Sequence, residues 1–332
     1  MVQETRQARR SGIVLDANVM ATFHYGGQAV MEGVMMRGAK TIATVVRKPD
    51  GTLAKDVHPL HPIYTGRWRK LPFSRGVIAM IEAMVLGTES LIFSTNVALE
   101  DIDAPKAGET KKENTALGGA TLALVLLVSL AFAVGLFSLL PLFLTKWIMP
   151  GMQGSLPFNI VEGVIRLCIF LLYLVGVGSM PDIRRVFSYH GAEHKTIHAY
   201  EAGVELTPES VQKYSTAHAR CGTAFLLAVL IIAIFVFSLV GKQALWLLIV
   251  SRILLLPVIA AIAYEVTQYG ARHMENRVIK WLVAPGLWLQ SLTTRQPDDK
   301  MVEVAIAALK EVLIADGVMK PEPAVIPAGP QP

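Results

Sequence analysis

Four stretches of the chain stay apolar long enough to cross a bilayer, whose hydrocarbon core takes about 20 helical residues. They run over Gly119–Leu144, Ile160–Met180, Gly222–Val240 and Ala244–Val266. Apolar runs of this length are foreign to water-soluble folds, in which a core helix keeps a polar face. The connections Lys146–Asn159 and Gly241–Gln243 carry almost no charge, whereas basic residues gather beside the opposite ends of the spans. These are Lys106, Lys111 and Lys112, then Arg184, Arg185, Lys195, Lys213 and Arg220, then Arg272, Arg277 and Lys280. Lysine and arginine asymmetry sets orientation, so both termini and the loop between the second and third spans are expected in the cytoplasm.

The segments around the spans have other textures. Residues 23–70 read as a small β-containing cytoplasmic element, because Thr41–Arg47 and Thr52–His58 resemble strands joined by the Lys48-Pro-Asp-Gly51 turn. Upstream, Gly26–Gly38 is glycine-rich but lacks the lysine and spacing of a phosphate loop, so its glycines are expected to serve tight turns and close packing. Within 71–100, Arg75, Glu82, Glu89 and Asn96 recur every seven residues on an otherwise apolar helix. That stripe suits an interfacial amphipathic helix better than a fifth span, in which Glu82 and Glu89 would need partners inside the hydrocarbon. Residues 1–22 are expected to be a flexible N-terminus without a secretory signal, 101–118 a charged linker, and 317–332 a disordered, proline-rich tail. Between the last span and that tail, 267–316 reads as cytoplasmic or interfacial helices, with Val302, Ala305, Ala308, Leu309 and Leu313 as one buried face. No internal repeat supports a transporter built from inverted halves.

Composition agrees with this division: 53% of residues are hydrophobic, 17% are charged and the mean hydropathy is +0.47. The expected fold is therefore a mainly α, polytopic membrane protein of about four transmembrane helices, with spans one and two in 119–180 and three and four in 222–266. The net charge of +5 fits membrane orientation, and without a basic block carrying interleaved aromatics no nucleic-acid partner is expected. Two cysteines, Cys168 and Cys221, make no disulfide framework and suit a reducing compartment.

The chemistry concentrates in the His-rich helix and loop at 181–221, between the second and third spans. His190-Gly-Ala-Glu193-His194 sets two imidazoles one helical turn apart with a carboxylate beside them. The order His-x-x-Glu-His is that of the inverted zincins, in which the histidines hold a divalent metal, commonly zinc, and the glutamate is a general base. Pro181-Asp182 is expected to open the helix, with Asp182 as cap, and Gly203 to close it. His198 and Glu201 continue the same face, but at 1.5 Å per residue His190 and His198 stand about 12 Å apart, too far to share one ion. His194 belongs to either possible pair, Glu193 favours His190, and His198 is the doubtful ligand. A third ligand is sought among residues returning to the same depth: Glu265, His218 and Cys221. His24, His58, His61 and His273 read as polar packing residues. A histidine-rich di-iron centre would need several clusters, and one is apparent.

The stretches His190–Lys195, Gly26–Gly38, Arg220-Cys-Gly-Thr223 and Leu292-Thr-Thr-Arg-Gln-Pro-Asp-Asp299 together resemble the bacterial YqhQ-like membrane protein family of unknown function, over Phe23 to Leu309. The matching positions are His190, Glu193, His194, Lys195, Glu201, Arg220 and Cys221. The family pattern does not fix a histidine at 198. Described as predicted metal-dependent enzymes, the family implies a metal without supplying a reaction.

The resulting expectation is a metal-dependent hydrolase at the inner face of the bacterial cytoplasmic membrane. Its partners would be the lipid bilayer and a membrane protein or lipid substrate. Glu193 would act as base, with Lys195 or Arg220 offering charge to an anionic substrate or oxyanion. A non-enzymatic scaffold or assembly factor is the alternative. A transporter using Glu162, Arg166 and Arg252 comes third, although Glu162 and Arg166 at i,i+4 can pair with each other.

Overall fold

The computed structural model describes residues 23–100, 119–153, 155–240 and 244–321. The expected flexible N-terminus, the charged linker and most of the tail lie outside these residues. Strands β1 (Gly26–Val30), β2 (Gly33–Arg37), β3 (Thr41–Arg47) and β4 (Leu53–Pro59) form one antiparallel meander in the order β1-β2-β3-β4. The anticipated hairpin joins β3 to β4, pairing Arg47 with Leu53 and setting Gly51 at a φ of 87°. The glycine-rich stretch is a second hairpin. A side chain on Gly33 would meet the Val45 carbonyl at 2.5 Å, so that glycine permits a close strand approach. Strand β2 escaped the sequence reading because Val34-Met35-Met36 is buried on both faces, which removes the alternation that marks a one-sided strand.

Among the described residues, seven of the eight longer helices are α-helical throughout, α6 and α7 with an internal proline at Pro257 and Pro285: α1 (Ser74–Glu100), α3 (Leu156–Gly178), α4 (Pro181–Glu201), α5 (Gly222–Val240), α6 (Leu245–Arg272), α7 (Arg277–Thr293) and α8 (Asp299–Ala315). The eighth, α2, runs over Gly119–Val134, widens through a π turn at Gly135–Leu139 and continues as Leu140–Ile148. Pro141 lacks the amide that would continue the regular ladder, and the widened turn lets the Leu140 amide reach back to the Gly135 carbonyl.

The sheet is the middle of three layers. Val34, Met36, Ala43 and Val45 point into a core shared with α4 and α8, in which Val302, Ala305, Ala308, Leu309 and Leu313 are fully buried. Each large aliphatic side chain there contributes about 1.5–3 kcal/mol. Asp298 caps α8 by accepting from the Met301 amide at 2.8 Å. On the other face, Met35 and Ile42 meet Leu86 and Ile78 of α1, and Val30 and Val46 meet Val97 and Phe93. Thr44 and Ser90 share a 2.9 Å hydrogen bond across the same interface.

Among the described residues, five helices are long and apolar enough to cross a membrane: Ser74–Ala98 within α1, Ala123–Ile148, Leu156–Gly178, Gly222–Val240 and Leu254–Arg272. The chain is thus a mainly helical membrane protein with a small sheet. The first of the five adds to the four expected. Glu82 was expected to lack partners, but the sheet and the turn before α1 supply them: Arg37 Nε lies 2.9 Å and Arg69 Nε 3.2 Å from its carboxylate oxygens. Glu82 therefore faces protein, while Glu89 is exposed along with Ile81, Met84, Val85 and Leu91.

Glu82 is a buried carboxylate bound to two guanidiniums. Glu82→Ala should destabilise the protein by about 3 kcal/mol, because two partly buried cations lose their counter-charge. Thermal unfolding in detergent would measure the loss, and an unchanged midpoint would contradict this account of how α1 docks.

Candidate functional site

Helix α4 begins with Pro181, whose fixed φ suits a first turn. The N-cap position is Met180 and makes no side-chain cap, so Asp182 is a first-turn acid rather than the expected cap. The helix stops before Gly203, which takes a φ of 67°. Within the motif, Gly191 has a steric role. A side chain there would lie 2.1 Å from the Arg295 carbonyl oxygen, so the segment after α7 rests directly on the helix backbone.

Three successive histidines of α4 each face a backbone carbonyl through one ring nitrogen. His190 Nδ1 lies 2.9 Å from the Thr293 oxygen, His194 Nδ1 2.6 Å from Thr216, and His198 Nε2 2.8 Å from Ala217. A carbonyl only accepts, so each of these nitrogens carries the hydrogen. In the neutral ring the other nitrogen is left with its lone pair, the arrangement found in metal-ligating histidines. His190 Nε2 faces Cys221 Sγ at 3.3 Å, and His194 Nε2 faces Glu193 Oε2 at 3.5 Å. Two lone-pair acceptors confronted like the latter pair call for a proton or a cation between them. Glu193 Oε1 accepts from the Gly27 amide at 2.8 Å, which ties β1 to the motif.

Potential ligands fall into two groups, each with its ligand atoms within 4.8 Å of one another: His190, His194 and Cys221, and separately His198, Glu201 and His218. Among the expected third ligands, Cys221 joins the first group and His218 the second. Glu265 joins neither. It accepts from Arg75 Nε at 2.8 Å and from the Phe73 amide at 3.1 Å, because α1 lies against α6. Lys195 is also displaced from its expected role. Its ammonium donates to the Gln212 and Tyr214 carbonyls at 2.8 and 2.7 Å, and burial lowers its pKa. Arg220 pairs with Glu201. Burial alone would raise the Glu201 carboxyl, but the His218 hydrogen bond and the Arg220 guanidinium hold it below the usual carboxylate range. Burial lowers His198 and so favours its neutral form.

A cavity of about 340 Å³ opens beside the first group. His190, Glu193, His194, His218, Arg220 and Cys221 line one side, and Arg37, Arg69, Tyr264, Gln268 and Arg272 line the other. His24 also lines it, so it is more than the packing residue anticipated. Sequence reasoning missed Gly27, the carbonyls of Thr216, Ala217 and Thr293, and Gln290. The last is fully buried and grips the His218 backbone, accepting from its amide at 2.8 Å and donating to its carbonyl at 2.9 Å. Backbone partners leave no residue-type signal, although the glycine-rich stretch and Leu292–Arg295 mark two of the segments involved.

Gly191→Ala should force the Arg295 segment off α4 and cost about 1–3 kcal/mol, whereas Gly222→Ala, with nothing within 4 Å of the added carbon, should be neutral. Thermal midpoints of the two variants would test this, and equal midpoints would refute the steric role of the motif glycine.

The family model described as "Protein of unknown function (DUF1385)" matches residues 71–315. "Uncharacterized protein YqhQ" of Bacillus subtilis (strain 168) is 38% identical over 292 residues, covering 87% of this chain and 92% of that protein. No solved structure matches the chain. With the family model covering most of its length and a full-length relative at this identity, the chain belongs to the DUF1385 family that includes YqhQ.

Proposed function

We propose that this protein is a metal-dependent hydrolase, acting at the cytoplasmic face of the membrane on an anionic, membrane-associated substrate. The observation that carries the reading is the set His190, His194 and Cys221, lone pairs converging, with Glu193 beside them in an arginine-lined cavity. Two imidazoles and a thiol suit zinc, and three protein ligands are the number used by catalytic zinc sites. Bound there, zinc would supply Lewis acidity, polarising a substrate oxygen and easing deprotonation of a water. The Gly27 amide holds one oxygen of Glu193, and the other, 3.5 Å from His194 Nε2, lies beside the proposed ion, where it would take a proton from an attacking water. Arg220, Arg272, Arg37 and Arg69 line the cavity and supply positive charge for an anionic group, the last two held in place by Glu82.

Chain parity supports the membrane arrangement. The sheet and α4 share one core, so an even number of crossings must separate β4 from α4. α2 and α3 provide two. α1, packed along the sheet from Ile78 to Val97, then lies along the membrane surface with its apolar side toward lipid. α5 and α6 return the chain to the same side for α8, giving four spans, and the basic flanks put that side in the cytoplasm.

A second reading rests on Cys221 itself, which stands just before the first turn of α5 with His190 Nε2 at 3.3 Å and that ring oriented by Thr293. This is also the arrangement of a cysteine nucleophile and its base.

Metal content separates these readings. His194→Ala should lose the metal, whereas Glu193→Gln should keep it and lose two to four orders of magnitude of turnover, roughly the general-base contribution. Complementation of a deletion phenotype can stand in for turnover. A metal-free wild type whose Cys221 is rapidly alkylated at neutral pH would favour the thiol reading, and full complementation by both variants would leave a scaffold. For topology, a cysteine at Lys213 should react with an impermeant reagent only from the cytoplasmic side and one at Gln153 only from outside. The reverse would overturn the location.

A further inference from the structure

We propose that His198, Glu201 and His218 form a second divalent-metal site, so that the centre takes two ions side by side. The proposal goes beyond the hydrolase reading, which needs only the first group, and shares no ligand with it.

The second group offers two imidazoles and a carboxylate, with ligand atoms within 4.8 Å of one another. A borderline divalent ion such as zinc, manganese or ferrous iron takes this nitrogen–oxygen set. The geometry is built rather than incidental. Ala217 takes the hydrogen of His198 Nε2, which turns Nδ1 outward as a lone pair. His218 is set by the Gln290 clamp on its own backbone, a fully buried amide spent on one residue of a loop. Its Nδ1 accepts from the Arg220 amide at 3.4 Å, so Nε2 carries its hydrogen toward Glu201 Oε2 at 3.6 Å, and a divalent ion would replace that proton between the imidazole and the carboxylate. The His198 and His218 rings meet edge to face at 4.6 Å between centroids.

The two groups are neighbours. His194 and His198 are one turn apart on α4, and His194 and His218 have ring centroids 5.6 Å apart. His218 also lines the cavity that the first group faces. Straight-helix geometry, which keeps His190 and His198 from sharing an ion, is satisfied when each binds its own. Glu201 is the residue whose ordinary role competes, since it pairs with Arg220. Ligation would take that carboxylate from a cation by offering it a stronger one. The donor sets differ in softness: the first contains a thiol, and the second contains only imidazole and carboxylate.

The test uses the full chain purified in detergent, stripped with chelator and reloaded with zinc alone, then with cobalt alone. Wild type should retain two zinc equivalents. His198→Ala/His218→Ala should retain one, and His190→Ala/Cys221→Ser should retain the other. Cobalt should give thiolate charge-transfer absorption in wild type and in His198→Ala/His218→Ala, and none in His190→Ala/Cys221→Ser. Glu201→Gln, which keeps volume and hydrogen bonding, should weaken the second equivalent at least tenfold with the thermal midpoint retained, which guards against misfolding of the double variants. One equivalent in wild type that survives in His198→Ala/His218→Ala would overturn the second site and leave the proposed function standing. No metal in wild type would overturn both.

Discussion

Backbone carbonyls that need hydrogen-bond donors hold this molecule together where its membrane and soluble parts meet. The loop before α5 and the end of α7 turn carbonyl oxygens of Gln212, Tyr214, Thr216, Ala217 and Thr293 toward α4. Partly or fully withdrawn from water, these groups cost free energy unless they are paired. One face of α4 supplies all of the donors, through His190, His194, Lys195 and His198. The polar residues that make the helix look catalytic in sequence are therefore also the fastening of the loop that carries His218, Arg220 and Cys221.

That fastening has a chemical by-product. An imidazole that donates through one nitrogen is committed to one tautomer and presents its other nitrogen as a lone pair at a set direction. Three such rings in a row, with Glu193 and Glu201 beside them and Cys221 brought in by the same loop, concentrate ligand atoms in a small volume. Gly191 and Gly27 make the approach possible, the first by admitting the Arg295 carbonyl and the second by letting β1 lie close on the Met35 carbonyl while its amide donates to Glu193.

The three-layer unit sets the depth of the cavity. Its sheet is covered on one side by α4 and α8 and on the other by α1, whose outward face is apolar. Glu82 joins α1 to Arg37 of β2 and to Arg69, and Arg75 joins it to Glu265 of α6. These ion pairs place two arginines of the cavity wall and lock the soluble layer to the end of a span. Glu162 and Arg166, which a transporter reading would use, are paired within one turn of α3.

Local pattern was enough to find the spans, the His-rich helix and the buried face of α8, because each depends on residue type repeated along a single element. It also identified His190, Glu193, His194, Cys221 and His218 as residues of interest, since the chemistry of imidazole, carboxylate and thiol is visible in isolation. Tertiary structure alone decided which of them meet. It sent Glu265 to Arg75 and Lys195 to two carbonyls, gathered His218 with His198 and Glu201, and brought Glu82 of α1 to Arg37 of the sheet. The physical reason is that partner choice depends on distance between segments far apart in sequence. Strand β2 stayed hidden for a related reason: a strand covered on both faces loses its alternation, and only the layers that cover it show that it is a strand.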